Sequence, residues 1–141
     1  MRKSLISLTL ALILLASMLS MPAHASVISS PYLQYYSVYF SNTGNTIKVN
    51  YIVQGTEKMD KVGVTEIYLY ERVSSNDDWS LVMTWLSSDP NYMSTMIGTN
   101  TTSKVDKVSY AGTSTYQYKA YVTVYAEKNG GSDSRNLIVY Y

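Results

Sequence analysis

The sequence predicts an all-β domain of about seven or eight short antiparallel strands, packed as a sandwich or a barrel. Three observations carry the prediction. Apolar or aromatic residues alternate with polar ones in run after run beyond residue 32, which is the period of a strand with one buried face. Asn, Asp, Ser, Gly and Pro cluster between those runs, where chain reversals need them. Beyond the N-terminal apolar segment, no stretch sustains the 3.6-residue period of a helix.

The chain opens with Arg2 and Lys3, an apolar run from Leu5 to Leu19, and the small-residue end Pro22-Ala23-His24-Ala25. That order is the tripartite pattern of an export signal, with cleavage expected after Ala25. The apolar run falls short of the ~20 residues that span a bilayer, and an A-x-A site follows it in place of a basic stop-transfer flank. Residues 1–25 are therefore expected to be removed, leaving residues 26–141 as one domain outside the cell with no insertion into the membrane.

A chain of this length buries roughly two-thirds of the surface that its unfolded form exposes, enough for a core without staples. There is no cysteine, so an exported product free to form disulfides has none to form, and thiol nucleophiles and cysteine metal sites are excluded. The only histidine, His24, leaves with the signal and takes imidazole chemistry with it. No catalytic residue, metal or cofactor is expected. The 11 Lys and Arg lose Arg2 and Lys3 while all 10 acidic residues stay, so the mature charge is close to balance. Nucleic acid requires a basic face, whereas Lys58 and Lys61 flank Asp60, and Lys104 and Lys107 flank Asp106. The 15 tyrosines, all beyond residue 31, are the compositional outlier, and tyrosine suits a half-wet strand.

Taken in order, Ser26 to Pro31 is a polar lead-in. Leu33 to Ser41 is the first strand, with Tyr36, Val38 and Phe40 on its more hydrophobic face. Asn42-Thr43-Gly44-Asn45 is a hairpin turn, since Asn and Gly tolerate positive φ. Thr46 to Val53 returns with Ile47, Val49, Tyr51 and Val53 inward. Gly55 to Lys61 is a charged connection that carries the chain to a second sheet. Thr65 to Val73 follows with Ile67 and Leu69 inward, and the opposite parity of Val62 and Val64 predicts a bulge near Thr65 and Glu66. Ser74 to Asp78 is a turn. Trp79 to Leu86 is the next strand, and Trp79, Leu81, Met83 and Trp85 share a face, so Trp79 and Trp85 are core candidates. Ser87-Ser88-Asp89-Pro90-Asn91 breaks the run, Tyr92 to Thr102 reads as a strand, and Lys104 to Tyr110 alternates through Val105 and Val108. After the turn Ala111 to Ser114, the stretch from Tyr116 to Ala126 is the most strongly patterned in the chain, with Tyr116, Tyr118, Ala120, Val122 and Val124 on one face and Gln117, Lys119, Tyr121, Thr123 and Tyr125 on the other. Lys128 to Ser132 turns, and Asn136 to Tyr141 closes the sheet. The expected core is Ile67, Leu69, Trp79, Trp85, Val122 and Val124.

The segment from Gly112 to Arg135, with Gly112-Thr113, then Tyr116-x-Tyr118-x-Ala120-x-Val122, then a glycine turn and a final strand, resembles the last hairpin of a fibronectin type III or immunoglobulin-like domain. The resemblance implies an immunoglobulin-like antiparallel sandwich. It also implies a tyrosine corner, in which a tyrosine at the start of the penultimate strand hydrogen-bonds the loop before it. Tyr116 is the first position for that role and Tyr118 the second. The cysteine pair of immunoglobulin domains is missing, which excludes the disulfide-pinned form. More widely, the export signal, the Ile67-x-Leu69 strand near Glu66, the Trp79-x-x-Val82-x-x-Trp85 strand and the Tyr-x-Tyr-x-Ala-x-Val-Thr-Val-Tyr strand together resemble a family of small secreted proteins of Gram-positive bacteria. That likeness implies the fold and the location and carries no activity.

Outward tyrosines are the best binding candidates. Tyr121 and Tyr125 lie four residues apart on the polar face of one strand, about 13 Å at ~3.3 Å per residue. Aromatic faces beside Asn and Thr hold sugar rings by stacking and hydrogen bonding. The commoner use of such rings, and the favoured reading of these two, is packing against tyrosines of a neighbouring strand. Asn76-Asp77-Asp78 with Asp89 offers oxygen ligands to calcium without the spacing of a dedicated loop, and reads more simply as a solvated turn. Glu66 with Glu71, or Glu57 with Asp60, lacks evidence of the defined separation that glycoside cleavage requires. Asn100-Thr101-Thr102 is a glycosylation sequon in a eukaryotic setting. The end at Tyr140-Tyr141 carries no wall-sorting signal, so release is expected. The leading expectation is a secreted, non-enzymatic binding module for a polysaccharide or a cell-surface protein. The alternatives are a secreted antagonist of the bacteriocin or toxin kind, and a protein that self-assembles through its sheet edges.

Overall fold

The computed structural model describes residues 30–141. The expected signal at residues 1–25 lies outside the described residues. From Leu33 onward the chain forms one antiparallel sheet of six strands, curled so that its two halves share a core. The strands are β1 (Leu33–Thr43), β2 (Thr46–Arg72), β3 (Ser80–Leu86), β4 (Ile97–Ala111), β5 (Gln117–Lys128) and β6 (Gly131–Tyr140). A single helical turn, α1 (Met93–Met96), precedes β4.

The 27-residue β2 organises the rest. One flank of β2 pairs with β1 along Thr46–Gly55 and then with β5 along Lys61–Arg72. Its other flank pairs with β4 along Thr46–Gly63 and with β3 along Glu66–Glu71. β6 continues the second half from the far side of β5. The first half of the sheet thus has the order β1–β2–β4, and the second has β3–β2–β5–β6.

The sequence pattern places two strands here, separated by a charged connection from Gly55 to Lys61. The chain instead stays in the sheet. Between Gln54 and Met59 the register against β4 shifts, from Ser103 to Thr101, so β2 bends through surplus residues without leaving its partner. Gly55 makes the bend possible, because a Cβ there would strike the Met59 side chain, which is buried. Among the described residues the strand total is therefore six, below the seven or eight that alternating runs suggest. The parity change predicted at Thr65 is a one-residue bulge between Val64 and Glu66 in the pairing with β5, and the Thr65 hydroxyl donates to the Thr123 carbonyl at 3.3 Å.

Alternation decides what is buried. Ile47, Val49, Tyr51 and Val53 from the first half of β2 join Ile67 and Leu69 from its second half and Tyr118, Ala120, Val122 and Val124 from β5 in one cluster. Each fully buried aliphatic side chain contributes about 1.5–3 kcal/mol of transfer free energy. Aromatic contacts run between the halves: the Tyr118 ring lies 6.3 Å from Tyr110 of β4 and 6.1 Å from Tyr141, which lies 5.8 Å from Phe40 of β1. The two buried phenols have partners. Tyr51 donates to the Thr95 carbonyl at 2.9 Å. The Tyr118 oxygen accepts the Thr113 N–H at 2.7 Å and donates to the Thr113 carbonyl at 3.1 Å. The role expected first of Tyr116 thus falls to Tyr118: Tyr116 precedes β5 and is only partly buried against the core, while Tyr118 is fully buried and reaches Thr113.

Trp85 is buried and Trp79 is not, although the two share a parity. Leu69 pairs with Met83 and Tyr70 with Leu81, so Val82 is an extra residue in β3. A single extra residue exchanges the faces of everything before it. Met83 therefore packs on the core while Leu81 is exposed, and Trp79 stands with Leu81 on the outer side. The strand expected from Tyr92 is also displaced. Asp89 accepts the N–H groups of Tyr92 and Met93 at 3.0 Å each, winding the chain into α1 before β4 starts at Ile97. Asn129 and Gly130 have φ of 52° and 78°, the two positive values of a two-residue hairpin turn, so β6 starts at Gly131 and not at Asn136.

Candidate binding face

The outer side of the second half of the sheet gathers side chains that sequence spacing alone does not bring together. Across it, Tyr68 pairs with Tyr121 and Tyr121 with Ile138, while Tyr70 pairs with Lys119 and Lys119 with Tyr140. The Tyr70 and Tyr121 rings meet edge to face at 5.4 Å. Trp79 joins them from just before β3, with its ring 6.3 Å from that of Tyr140.

Two cations sit among the rings. The Arg72 guanidinium lies 4.3 Å above the Trp79 ring, and its Nε donates to Gln117 at 2.7 Å. The Lys119 ammonium lies 4.8, 5.2 and 5.3 Å from the centres of Trp79, Tyr70 and Tyr121. Such contacts stabilise a partly exposed cation by about 0.5–2 kcal/mol each. Leu81, Tyr121, Ile138 and Tyr140 remain between 37% and 67% exposed. Tyr121 thus packs across strands and also shows a face to solvent. Beside it, the Thr123 hydroxyl donates to the Asn136 side-chain oxygen at 3.0 Å.

Tyr125, one step further along β5, has different surroundings. Its partner on β2 is Gly63, against which the Met96 carbonyl packs where a Cβ would sit. A cavity of about 790 Å³ opens beside Tyr125, with Lys61, Thr65, Ser87, Lys104 and Met93 also among the residues that line it. The Tyr125 hydroxyl donates to Glu127, and Lys61 pairs with the same carboxylate at 3.3 Å. These two contacts hold the Glu127 carboxyl below its usual range, the Tyr125 bond being the larger cause, while burial and the Glu127 bond push the Tyr125 phenol upward. Lys104 reaches the Ser94 carbonyl at 2.7 Å and Asp106 at 3.1 Å, which ties β4 to α1 at the cavity rim.

The other candidates serve local structure. Asp77 accepts the N–H and the hydroxyl of Ser74 at 2.8 Å each, and Asp89 accepts from Asn91 at 2.9 Å. Asp60 caps the β5–β6 turn by accepting the Asn129 N–H at 2.8 Å. Sequence reasoning missed Lys119, Arg72, Trp79 and Tyr140 as members of one face, and it missed the cavity altogether. The signal for the face was present in the polar parity of Lys119 and Tyr121. The cavity left no local signal, because its walls come from β2, β4, β5 and the segment around α1, which meet only once the register is known. No family model, no curated protein and no solved structure matches the chain.

Proposed function

We propose that this protein is a secreted, non-enzymatic binding module that lays a polysaccharide chain along the outer face of β5. The observation that carries the reading is the cluster of Trp79, Tyr70, Tyr121 and Tyr140 around Lys119, still partly open to solvent. Preset aromatic faces bind sugar rings without the entropy cost of ordering them on contact. The scaffold we infer is a sandwich of the fibronectin type III kind in which β2 serves as two successive strands. The orders β1–β2–β4 and β3–β2–β5–β6 support it, as does the Tyr118 hydrogen bond to the loop before β5. Export is read from the leader pattern of residues 1–25.

A glycan array followed by calorimetry on the mature chain tests the function. Tyr121→Ala and Tyr140→Ala are expected to weaken binding of the selected polysaccharide at least tenfold, since stacked rings contribute on the order of 1–3 kcal/mol each. Binding indifferent to both substitutions sinks the reading. One observation favours a second reading, self-assembly: among the described residues β6 pairs with β5 alone, and an unpaired outer edge there would accept another strand. Light scattering that stays monomeric at high concentration eliminates it.

A further inference from the structure

Building on the reading of the outer face as a saccharide surface, we infer that the cavity beside Tyr125 is a subsite for a pyranose ring carrying one anionic group, either a carboxylate or a phosphate. The cavity is within the range of small-molecule sites, roughly 300–1,000 Å³. Its lining divides by chemistry. Pro90, Met93, Ile97 and the Tyr125 ring supply apolar surface, Ser87, Ser88 and Thr99 supply hydroxyls, and Lys61 and Lys104 supply positive charge. Each cation already has a carboxylate partner, Lys61 with Glu127 at 3.3 Å and Lys104 with Asp106 at 3.1 Å. An ammonium carries three donors; Lys61 uses one on Glu127, and Lys104 uses two, on Asp106 and the Ser94 carbonyl, so each keeps a donor for a ligand. Apolar surface beside hydroxyls matches the two kinds of surface on a sugar ring, and the remaining ammonium donors suit an anionic substituent through charge-assisted hydrogen bonds.

The cavity also continues the outer face. Tyr121 and Tyr125 share a side of β5 and stand about 13 Å apart at ~3.3 Å per residue, so a chain stacked at Tyr121 runs toward the cavity mouth. The walls are positioned by backbone contacts. The Ser87 N–H donates to the Thr65 carbonyl at 2.9 Å, and Gly63 lets the backbone of Met96 and Ile97 approach β2 where any Cβ would collide. An uncharged chain would meet the face alone, whereas an anionic one would meet both face and cavity.

The test follows amide shifts of the isotope-labelled mature chain on titration with tetragalacturonate, with glucose 6-phosphate, and with neutral cellotetraose. The two anionic probes distinguish carboxylate from phosphate, and a response to either supports the subsite. The expected result is saturable movement of the Ser87, Ser88, Gly98 and Thr99 amides with at least one anionic probe, and little with cellotetraose. Lys61→Gln is expected to weaken that response roughly tenfold, the scale of one charge-assisted hydrogen bond, and raising salt to about 0.5 M is expected to weaken it further. Lys104→Gln provides an independent second variant. Immobile cavity amides with both anionic probes at millimolar concentration overturn the proposal, as does equal movement with cellotetraose that survives Lys61→Gln. The two readings fail separately: Tyr121→Ala removes the face and leaves the cavity shifts of glucose 6-phosphate in place, while Lys61→Gln leaves neutral-chain binding at the face unchanged.

Discussion

The Tyr118 hydroxyl is bound to both backbone groups of Thr113, accepting its N–H at 2.7 Å and donating to its carbonyl at 3.1 Å. The contact fastens the loop between β4 and β5 to the buried start of β5. Gly112 makes room for it, since a Cβ there would press on the Tyr118 oxygen and on Ile47.

Tyr118→Phe keeps the ring and deletes both bonds. The substitution is expected to cost about 1–3 kcal/mol, because it leaves backbone groups of Thr113 without their partner. Urea denaturation of the variant should show a lower midpoint with an unchanged slope. Tyr116→Phe, which deletes a hydroxyl outside this contact, should change the midpoint far less.

Gly63 has φ of 151° and faces the Met96 carbonyl where a Cβ would sit. Gly63→Ala therefore combines backbone strain with a collision against main chain, and a loss of more than about 2 kcal/mol is expected. Gly44 has φ of 58° and open space around it, so Gly44→Ala should cost only about 1 kcal/mol, from conformation alone. Thermal melts of the two variants side by side separate the contributions.

The tryptophans should report on opposite environments. Trp85 is 2% exposed, whereas Trp79 lies under Arg72 and beside Tyr140 on the outer face. In Trp79→Phe the remaining fluorescence should be blue-shifted and resistant to acrylamide. In Trp85→Phe it should be quenchable and responsive to a bound saccharide. Truncation to alanine is expected to cost about 3–5 kcal/mol at Trp85 and much less at Trp79.

Alkaline pH should unfold the domain through its buried phenols. Burial, with a smaller contribution from Asp106, holds Tyr51 well above the ordinary tyrosine value, and burial raises Tyr118 as well. A folded-state value above the unfolded one makes these neutral phenols stabilising below about pH 10, and that stability is lost as pH rises further. Absorbance titration should show Tyr51 and Tyr118 ionising only above the ordinary tyrosine value, together with loss of the far-ultraviolet sheet signal. Titration of every tyrosine in one step with the sheet intact would contradict the burial of Tyr51 and Tyr118.

Much of the architecture was legible because burial follows a period of two. Ile47, Val49, Tyr51 and Val53 were read as inward and are buried, and so are Ile67, Leu69, Val122 and Val124. Turn chemistry marked the reversal at Gly44 and the one at Asn129 and Gly130, where positive φ leaves few alternatives. Parity even exposed the bulge at Thr65. The candidate face was half legible: Tyr121 was singled out by its parity, while Trp79 was assigned to the wrong side.

The sequence by itself determined the strand chemistry, the lack of cross-links and the identity of most inward residues, since these depend on neighbours one or two positions away. Only the tertiary structure decided that Gly55 to Lys61 continues β2, that Val82 turns Trp79 outward beside Lys119, and that Tyr125 shares a cavity wall with Lys61 of β2 and Lys104 of β4. Each of these rests on the register between strands distant along the chain. A one-residue offset exchanges the two faces of a strand, and long-range pairing sets that offset where local pattern is silent.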